Sequence, residues 1–369
     1  MKKLISRVII MCLVSCISVW LCSCGIGKYD NLDENKLLIV TTLFPQYDFA
    51  KQIAGDRAEV VLLLSPGVES HDFEPTPSDI ILINKADLFI YTGDEMEPWV
   101  ADILESIDNK NLNVLDVSKG VELICEEENH DHNHVHDDEE DDNHDEQDIH
   151  IEDEQYEDEH HDEGDDHDDE IHKGENIIFG EEEGNHDGHD HSHSYDPHIW
   201  TSPVNAMKMV ENVTESLVKL DEAYSEYYKQ NESAYLSELK NIDEQFRKIV
   251  SCAKTHTLYF GGRFAMSYFA HEYGLNYVAA FDSCQAKSEP GARLIVKIIE
   301  KMREDKAFYV FYEEMTDPKA ARIIAEEIDG DILLLHSCHN VSKKEMESGA
   351  TYISLMKQNV VNLRIALQQ

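Results

Sequence analysis

Basic residues are scarce in this chain of 369 residues, which has 31 lysines and arginines against 76 aspartates and glutamates and a formal net charge of -45. A surface with this charge repels phosphate, which excludes nucleic acid and adsorption to anionic lipid as modes of binding. The acidic residues are concentrated between Glu126 and Asp190, where 32 of them accompany one base, Lys173, and most of the histidines. The rest of the chain, with 44 acidic and 30 basic residues, is only moderately acidic.

Catalytic signatures are also missing. The chain has no Gly-x-Ser-x-Gly motif and no phosphate-binding loop, and His271-Glu272 lacks the second histidine of a zinc protease. Four of the eight cysteines lie beyond the N-terminal 24 residues, and they are Cys125, Cys252, Cys284 and Cys338. Their spacing argues against a thiolate zinc cluster and leaves three disulfide pairings open. These absences favour a binding protein over an enzyme.

The N-terminus has the pattern of a bacterial lipoprotein signal, which we assign to residues 1–23. A basic start and an apolar run from Val8 to Leu21 precede the stretch Leu-Cys-Ser-Cys-Gly, and this run is short for a spanning helix. Cleavage would leave Cys24 as a lipidated first residue, followed by a tether over residues 24–35. We therefore expect an extracytoplasmic protein anchored to the cell membrane by lipid. An ordinary signal peptide or an anchor helix is the alternative.

Strand and helix patterns alternate through the rest of the chain, which predicts the α/β class with mostly parallel sheets. We expect two Rossmann-like α/β lobes bridged by one long rigid helix. The lobes would cover residues 36–220 and 254–369, and the helix residues 221–253. The low-complexity stretch 126–194 lies in the first lobe and predicts a disordered loop. Its one apolar stretch, Ile177–Phe179, has no interpretation from sequence.

Histidines and carboxylates follow several predicted strands, where ligands bind in parallel α/β sheets. His71 lies in a proline-rich loop, His198 lies between Pro197 and the apolar pair Ile199-Trp200, and His336 directly follows an apolar strand. His339 and Cys338 are nearby, but we expect His336 to point into the crevice. Glu313 and Glu314 end another strand. Each of these residues by itself has a plain structural interpretation as a solvated or satisfied loop residue, or as charge at a helix start.

Neutral imidazole is the commonest metal ligand, and several such nitrogens favour zinc over calcium or magnesium. The gathered histidines therefore predict Zn2+ rather than Mn2+ as the bound metal. A metal-dependent hydrolase is a competing hypothesis. It would need an open coordination position and a general base, for which Glu314 is the candidate.

Three motifs in a fixed order resemble the metal-binding lipoproteins of bacterial ABC importers for zinc and manganese, of the ZnuA/TroA type. They are HDFEPTPSD from His71, DPHIWTSP from Asp196 and YFAHEYGL from Tyr268, with a His- and acid-rich loop between the first two. The resemblance covers nearly the whole mature chain. It implies two lobes with metal in the cleft between them. It also implies a monomer that delivers metal to a membrane permease driven by a cytoplasmic ATPase.

The family's ligands carry over unevenly. The first two histidines correspond to His71 and His198, the fourth ligand lies near His336, and the third position is Arg263. A guanidinium does not bind a cation. Two accounts follow: Glu289, Glu313, Glu314 or water completes a site of three histidines while Arg263 pairs with a carboxylate, or Arg263 indicates another ligand, such as an anion or a chelated metal.

The histidines of the acidic loop belong to a different setting. His186, His189, His191 and His193 are surrounded by hydrated acidic and small residues, which predicts weak collection of metal rather than a built site. We expect deletion of this loop to lower capture at scarce metal and to leave tight binding in place. A solubilising spacer is the alternative for the loop, and a surface adhesin or metal buffer without a transporter is the alternative for the whole protein.

Overall fold

The computed structural model describes residues 32–70, 73–125, 176–179, 195–281 and 290–368. Several residues that carry predictions lie outside these ranges, namely Cys24, His71, His186, His189, His191, His193, Cys284 and Glu289. In the part of the chain that is described, no helix combines the length and the apolar character needed to cross a membrane.

The first lobe contains a sheet of four parallel strands in the order β2-β1-β3-β4. Each strand comes from an apolar run of the sequence, and their bounds are β1 Leu37–Thr41, β2 Ala58–Leu62, β3 Leu88–Tyr91 and β4 Asn113–Asp116. The register places Ile39 beside Val60 and Leu88. Parallel pairing directs the carboxyl ends of all four strands to one edge of the sheet.

Three helices connect these strands, α1 Phe44–Ala54, α2 Pro77–Ile83 and α3 Trp99–Ser106. The predicted start of α2 is confirmed: Thr76 accepts from the Asp79 amide, and the Asp79 side chain accepts from the Thr76 amide. The helix ends at Ile83, earlier than its apolar pattern suggests. The start is therefore fixed, and with it the direction in which the chain leaves the loop after β2.

Two helices that pack against each other follow the first lobe, α4 Pro203–Leu220 and α5 Ser225–Ser251. At about 1.5 Å per residue, the 27 residues of α5 span about 40 Å. The predicted linking helix is present, but it begins at Ser225 rather than at residue 221. A short 3-10 turn, Glu222–Tyr224, separates the two helices. Asp221 directly follows α4, and its carboxylate accepts from the Tyr228 hydroxyl of α5 at 2.8 Å.

The second lobe contains strands β5 Ile177–Ile178, β6 Thr257–Tyr259, β7 Asn276–Ala279, β8 Tyr309–Tyr312 and β9 Asp331–Leu334. They form two parallel sheets in the orders β5-β7-β6 and β8-β9, which a bridge between Phe260 and Phe311 joins edge to edge. Glycine is needed at 261, because a Cβ there would lie 2.6 Å from the Ala321 Cα atom.

The remaining helices cover this sheet or return to the linking helix: α6 Ser267–Tyr273, α7 Ala292–Glu304, α8 Lys319–Glu327, α9 Lys343–Glu347 and α10 Tyr352–Leu367. Asp48 of α1 joins three of the helices. Its carboxylate accepts from the Tyr235 hydroxyl of α5 and from the Tyr352 amide of α10, both at 2.9 Å. The largest buried cluster accordingly continues from the first lobe through α5 into the second.

Strand β5 changes the predicted division of the chain. Ile177 and Ile178 pair in parallel with Val278 and Ala279 of the second lobe, although sequence analysis assigned the whole stretch 126–194 to the first lobe. The Asn176 side chain accepts from the Tyr277 amide at 3.2 Å, and the Phe179 amide donates to the Ala279 carbonyl at 3.2 Å. The stretch that has no interpretation from sequence is therefore an edge strand.

The lobes meet beside the strand ends. The side-chain amide of Asn340 donates to the carbonyls of Ser65 and Val68, both at 2.9 Å. The backbone amide of Gly67 donates to the Val341 carbonyl at 2.9 Å. The loop after β2 is thus fixed against the loop after β9. Of the described cysteines, Cys125 is half-buried, Cys252 is exposed and Cys338 is buried, and no disulfide joins these three.

Candidate metal centre

The segment before α4 holds His198 in a fixed orientation. The Asp196 carboxylate lies 2.7 Å from the His198 Nδ1 atom and accepts from the His198 amide at 2.8 Å. Burial alone would raise the pKa of Asp196, but the neighbouring imidazole and these hydrogen bonds hold it below its usual range. A neutral ring that donates from Nδ1 carries its lone pair on Nε2, which is the arrangement of a metal-binding histidine with a carboxylate partner.

Neighbouring groups lock this segment. The Tyr268 hydroxyl of α6 donates to the Asp196 carbonyl at 2.7 Å, and the Trp200 indole donates to the Ser337 carbonyl at 2.9 Å. The Tyr352 hydroxyl of α10 donates to the Trp200 carbonyl at 2.6 Å. His198 is 3% exposed, so its ring is positioned by packing in addition to hydrogen bonds. A ligand held in this way loses little freedom when a metal binds.

His339 is the histidine of the loop after β9 that faces His198. The two ring centroids are 5.2 Å apart and the rings are nearly perpendicular. The His339 ring also contacts the Ser70 hydroxyl across the cleft and packs on Trp200. The Ser70 contact places His339 directly beside the loop that contains His71, a residue outside the described ranges.

His336 faces another way. Its Nδ1 atom accepts from the Cys338 amide at 2.9 Å, and its Nε2 atom lies 3.6 Å from the Glu345 carboxylate of α9. The expectation that His336 points into the crevice is therefore not met, because the loop turns between the two histidines. Cys338 has a φ of 63°, a left-handed conformation that is rare for a residue with a side chain, and this reversal presents His339 to the cleft.

A small cavity lies at the strand ends beside these groups, with a volume of about 30 Å³. Its walls come from both lobes and include Glu69, Ser70, Arg263, Glu313, Glu314 and His339. The size suits a single ion or water-sized group, which disfavours the expectation of a chelated metal. Since all of these residues follow strands, the site lies where parallel sheets bind ligands.

The two glutamates after β8 have different partners. Glu314 accepts from the Ser337 hydroxyl at 2.6 Å and from the Ser337 amide at 2.8 Å, so both of its oxygens are engaged. Glu313 is 9% exposed and lies 3.4 Å from the Arg263 guanidinium, measured from Oε2 to Nε. Burial raises the pKa of Glu313 to about 8, while Arg263 and His198 act in the opposite direction.

Arg263 pairs with carboxylates from both lobes, which is the arrangement of the first of the two accounts given for this residue. Besides Glu313, its Nη2 atom lies 3.8 Å from Glu69 of the loop after β2. The guanidinium is mostly buried, with 20% of its side chain exposed, and belongs to the cavity wall. It adds a fixed positive charge beside the candidate ligands, and Coulomb repulsion from this charge lowers the affinity of the site for any cation.

The described residues bring together His198, His339 and Glu313, whereas Glu314 turns toward Ser337. His71 and Glu289 lie outside the described ranges, and within those ranges no three His, Cys, Asp or Glu side chains are grouped closely enough to hold a metal ion. Sequence reasoning named His339 only as a neighbour of His336. The Asn340 side chain, which fixes the loop after β2 on this turn, gave no separate signal.

Comparisons with known proteins agree with this architecture. A model of the family described as zinc-uptake complex component A, periplasmic (ZnuA), matches residues 39–366. The high-affinity zinc uptake system protein ZnuA of Bacillus subtilis (strain 168) is 33% identical over 342 residues, which are 92% of this chain and 90% of that protein. The zinc-binding lipoprotein AdcA of Streptococcus pneumoniae (strain ATCC BAA-255 / R6) is 28% identical over 359 residues, which are 97% of this chain and 60% of AdcA.

Solved structures give the same result. The Zn(II)-bound ZnuA-like domain of Streptococcus pneumoniae AdcA superimposes with a TM-score of 0.66 at 26% identity, over 90% of this chain and 100% of that one. The metal-dependent lipoprotein YcdH from Bacillus subtilis has a TM-score of 0.66 at 29% identity, with the same coverage. Because the family model spans most of the chain and one relative is 33% identical over nearly its full length, the chain belongs to the ZnuA family, the periplasmic component A of zinc-uptake complexes.

Proposed function

We propose that this protein captures Zn2+ outside the cytoplasm and delivers it to an ABC importer. The observation that carries the proposal is the facing pair His198 and His339, one of them oriented by a carboxylate, beside a cavity of ionic size. Nitrogen ligands of this kind favour zinc over manganese. The names of the relatives support the same metal, since ZnuA of Bacillus subtilis is a zinc uptake protein and AdcA is zinc-binding.

The ligand set begins with three imidazoles, His71, His198 and His339. His71 follows Ser70, whose hydroxyl contacts His339, and this neighbourhood in the sequence supports His71 as the ligand from the first lobe. His198 comes from the segment between the lobes and His339 from the second lobe. A metal bound by all three would hold the cleft together, and its release would require one wall to withdraw.

The site suits binding rather than hydrolysis. Three imidazoles and one carboxylate fill the four positions that zinc takes in a closed tetrahedral site, whereas a catalytic site keeps one position for water. Glu314, the candidate base of a hydrolase, accepts two hydrogen bonds from Ser337, and its Oε1 atom lies 3.6 Å from the His336 Nδ1 atom, so both of its oxygens are engaged. We therefore assign no catalytic residue.

The surroundings of the site follow from the same proposal. Cys24 carries lipid and anchors the monomer to the outer face of the cell membrane, where a permease with a cytoplasmic ATPase receives the zinc. His186, His189, His191 and His193 collect metal weakly without forming the tight site. The segments that contain these residues lie outside the described ranges, so their sequence pattern and the family membership support these assignments.

Zinc stoichiometry and affinity test the proposal directly. We would titrate the soluble chain from Gly25 with Zn2+ in competition with a chromogenic chelator, beside the variants His198→Ala and His271→Ala. His271 is an exposed histidine of α6 and serves as the control. We expect one tight zinc per chain that is lost in His198→Ala and kept in His271→Ala. If His198→Ala keeps the tight zinc, the cleft is not the site, and a metal buffer based on the acidic loop takes its place.

A further inference from the structure

The inference concerns the carboxylate that completes the zinc site, and it rests on the proposed zinc-binding function. Of the two adjacent glutamates after β8, only Glu314 has both oxygens engaged, through Ser337. The Glu313 Oε1 atom is buried and has no hydrogen-bond partner. Leaving a buried carboxylate oxygen without a partner is costly, because the group has lost its water and gained nothing in exchange. Such an atom in a ligand cavity indicates a partner that arrives with the ligand.

The contact between Glu313 and Arg263 is loose. The distance of 3.4 Å between Oε2 and Nε exceeds the 2.7–2.9 Å that is typical of charge-assisted hydrogen bonds between such groups. Arg263 therefore balances the negative charge of Glu313 without fixing the direction of the carboxylate. The side chain is about nine-tenths buried and lines the same cavity as His339.

We propose that Glu313 is the fourth zinc ligand and that Arg263 is the counter-cation of Glu313 in the metal-free protein. When zinc enters, the Oε1 lone pair of Glu313 coordinates the metal, while Oε2 keeps its contact with Arg263. Any proton that Glu313 carries in the metal-free protein leaves to solvent as zinc binds, and no electron transfer is required. The Glu313 carboxylate thus has two positive neighbours, zinc and Arg263, where it had one before. Arg263 itself stands at the position of the family's third ligand, which this chain lacks.

Arg263 has a second consequence, because its charge stays in the cavity after the metal binds. Repulsion between a guanidinium and Zn2+ lowers the affinity of the loaded site, and this repulsion is strong where solvent is scarce. The contact with Glu69 of the first lobe places the same guanidinium across the cleft. We infer that Arg263 limits how tightly the protein retains zinc.

The test compares Glu313→Gln with Glu97→Gln and Arg263→Gln. Glu97 is a buried glutamate of the first lobe outside the cavity, so its isosteric change is a matched control. Zinc affinity is measured by chelator competition, and the absorption spectrum of bound Co2+ reports the ligand set. We expect Glu313→Gln to weaken zinc by more than about 100-fold, because even outer partners of ligands contribute 10–100-fold, and to alter the Co2+ spectrum. Glu97→Gln should change neither, and Arg263→Gln should tighten zinc.

Three outcomes overturn the inference and leave the proposed function in place, provided that the parent protein still needs His198 for its tight zinc. They are an unchanged affinity in Glu313→Gln, a weakened affinity with an unchanged Co2+ spectrum, and a loss of affinity in Arg263→Gln. The second outcome would mean that Glu313 acts through its charge alone. Thermal unfolding of the metal-free variants confirms that each change has left the fold intact.

Discussion

In the described part of the chain, Glu97 of the first lobe and Glu313 of the second are both buried at the carboxyl end of a sheet, and the two differ in their hydrogen bonds. In the first lobe, Glu97 accepts from the Thr42 hydroxyl and from the amides of Thr92 and Gly93, at 3.0 and 3.3 Å. In the second lobe, Glu313 has one oxygen beside Arg263 and one oxygen without a hydrogen bond. Burial raises the pKa of Glu97 to about 7 and that of Glu313 to about 8.

A raised pKa therefore does not separate structural from functional carboxylates in this protein. The hydrogen bonds do, because Glu97 uses its acceptor capacity to join two strand ends, whereas Glu313 keeps capacity toward a cavity. The histidines after β9 differ in direction rather than in hydrogen bonding, because the buried His336 Nε2 atom also has no hydrogen-bond partner, whereas His339 contacts the Ser70 hydroxyl. His336 is engaged by Cys338 and faces Glu345, and His339 faces His198. Binding should depend on the cavity-facing member of each pair, and stability on the other member.

The largest effect should come from the histidine pair. We expect His339→Asn to weaken zinc by more than about 100-fold through loss of a ligand, and His336→Asn to leave the affinity near that of the parent. Asparagine at 336 retains an acceptor for the Cys338 amide, so the turn that presents His339 survives. Chelator competition measures both variants. The reverse pattern would restore His336 as the ligand and remove the distinction.

A smaller effect on zinc affinity is expected from a residue that orients a ligand without binding the metal itself. Asp196→Asn keeps the size of the side chain but weakens its hold on the His198 Nδ1 atom, which should lower zinc affinity by about 10–100-fold. The same competition titration checks it. Asp48→Asn is the control, since Asp48 is equally buried and serves only the junction of helices. An affinity equal to that of the parent would show that packing alone orients His198.

Glu97 should affect stability and not binding. Its pKa lies at about 7 in the folded protein against an ordinary value of 4.5, so the folded state binds more protons between these values. The free energy of unfolding should consequently fall as the pH rises from about 4.5 to 7. In Glu97→Gln the fall in the free energy of unfolding over this interval should be smaller by about 3 kcal/mol.

Urea unfolding of the metal-free protein at pH 5 and pH 8 measures this pH dependence. A change in hydrogen bonding alone would alter the stability of Glu97→Gln equally at both pH values. The difference between the two pH values is therefore the informative quantity, and parallel profiles for parent and variant would contradict the assignment.

The smallest effect on the tight site should come from the acidic loop. Replacing residues 180–194 with glycine and serine at equal length removes His186, His189, His191 and His193 while keeping β5. We expect the tight affinity to be unchanged and the rate of zinc capture at scarce metal to fall. Stopped-flow mixing with a zinc-loaded chelator measures the rate, and loss of the tight zinc would place the site in the loop.

The sequence predicted the α/β lobes and the importance of His198, because strand and helix periods and the Asp-Pro-His-Ile-Trp stretch are local signals. It did not distinguish His336 from His339 or Glu313 from Glu314. Those choices depend on the left-handed residues Met315 and Cys338, with φ of 59° and 63°, which no residue-type preference predicts. Strand β5 could not be predicted from the sequence either, since its partner Val278 lies about a hundred residues further along the chain.

Strand β5 protects the second lobe from other copies of the protein. An open strand edge presents unpaired amides and carbonyls that recruit further strands and lead to aggregation. Here the chain covers the outer side of β7 with a piece of its own insertion. A truncation of the whole stretch 126–194 would therefore do more than remove histidines, because it would open the edge of β7 and favour self-association. Variants that keep residues 176–179 should remain monodisperse, which separates the collection of metal from the colloidal stability of the protein.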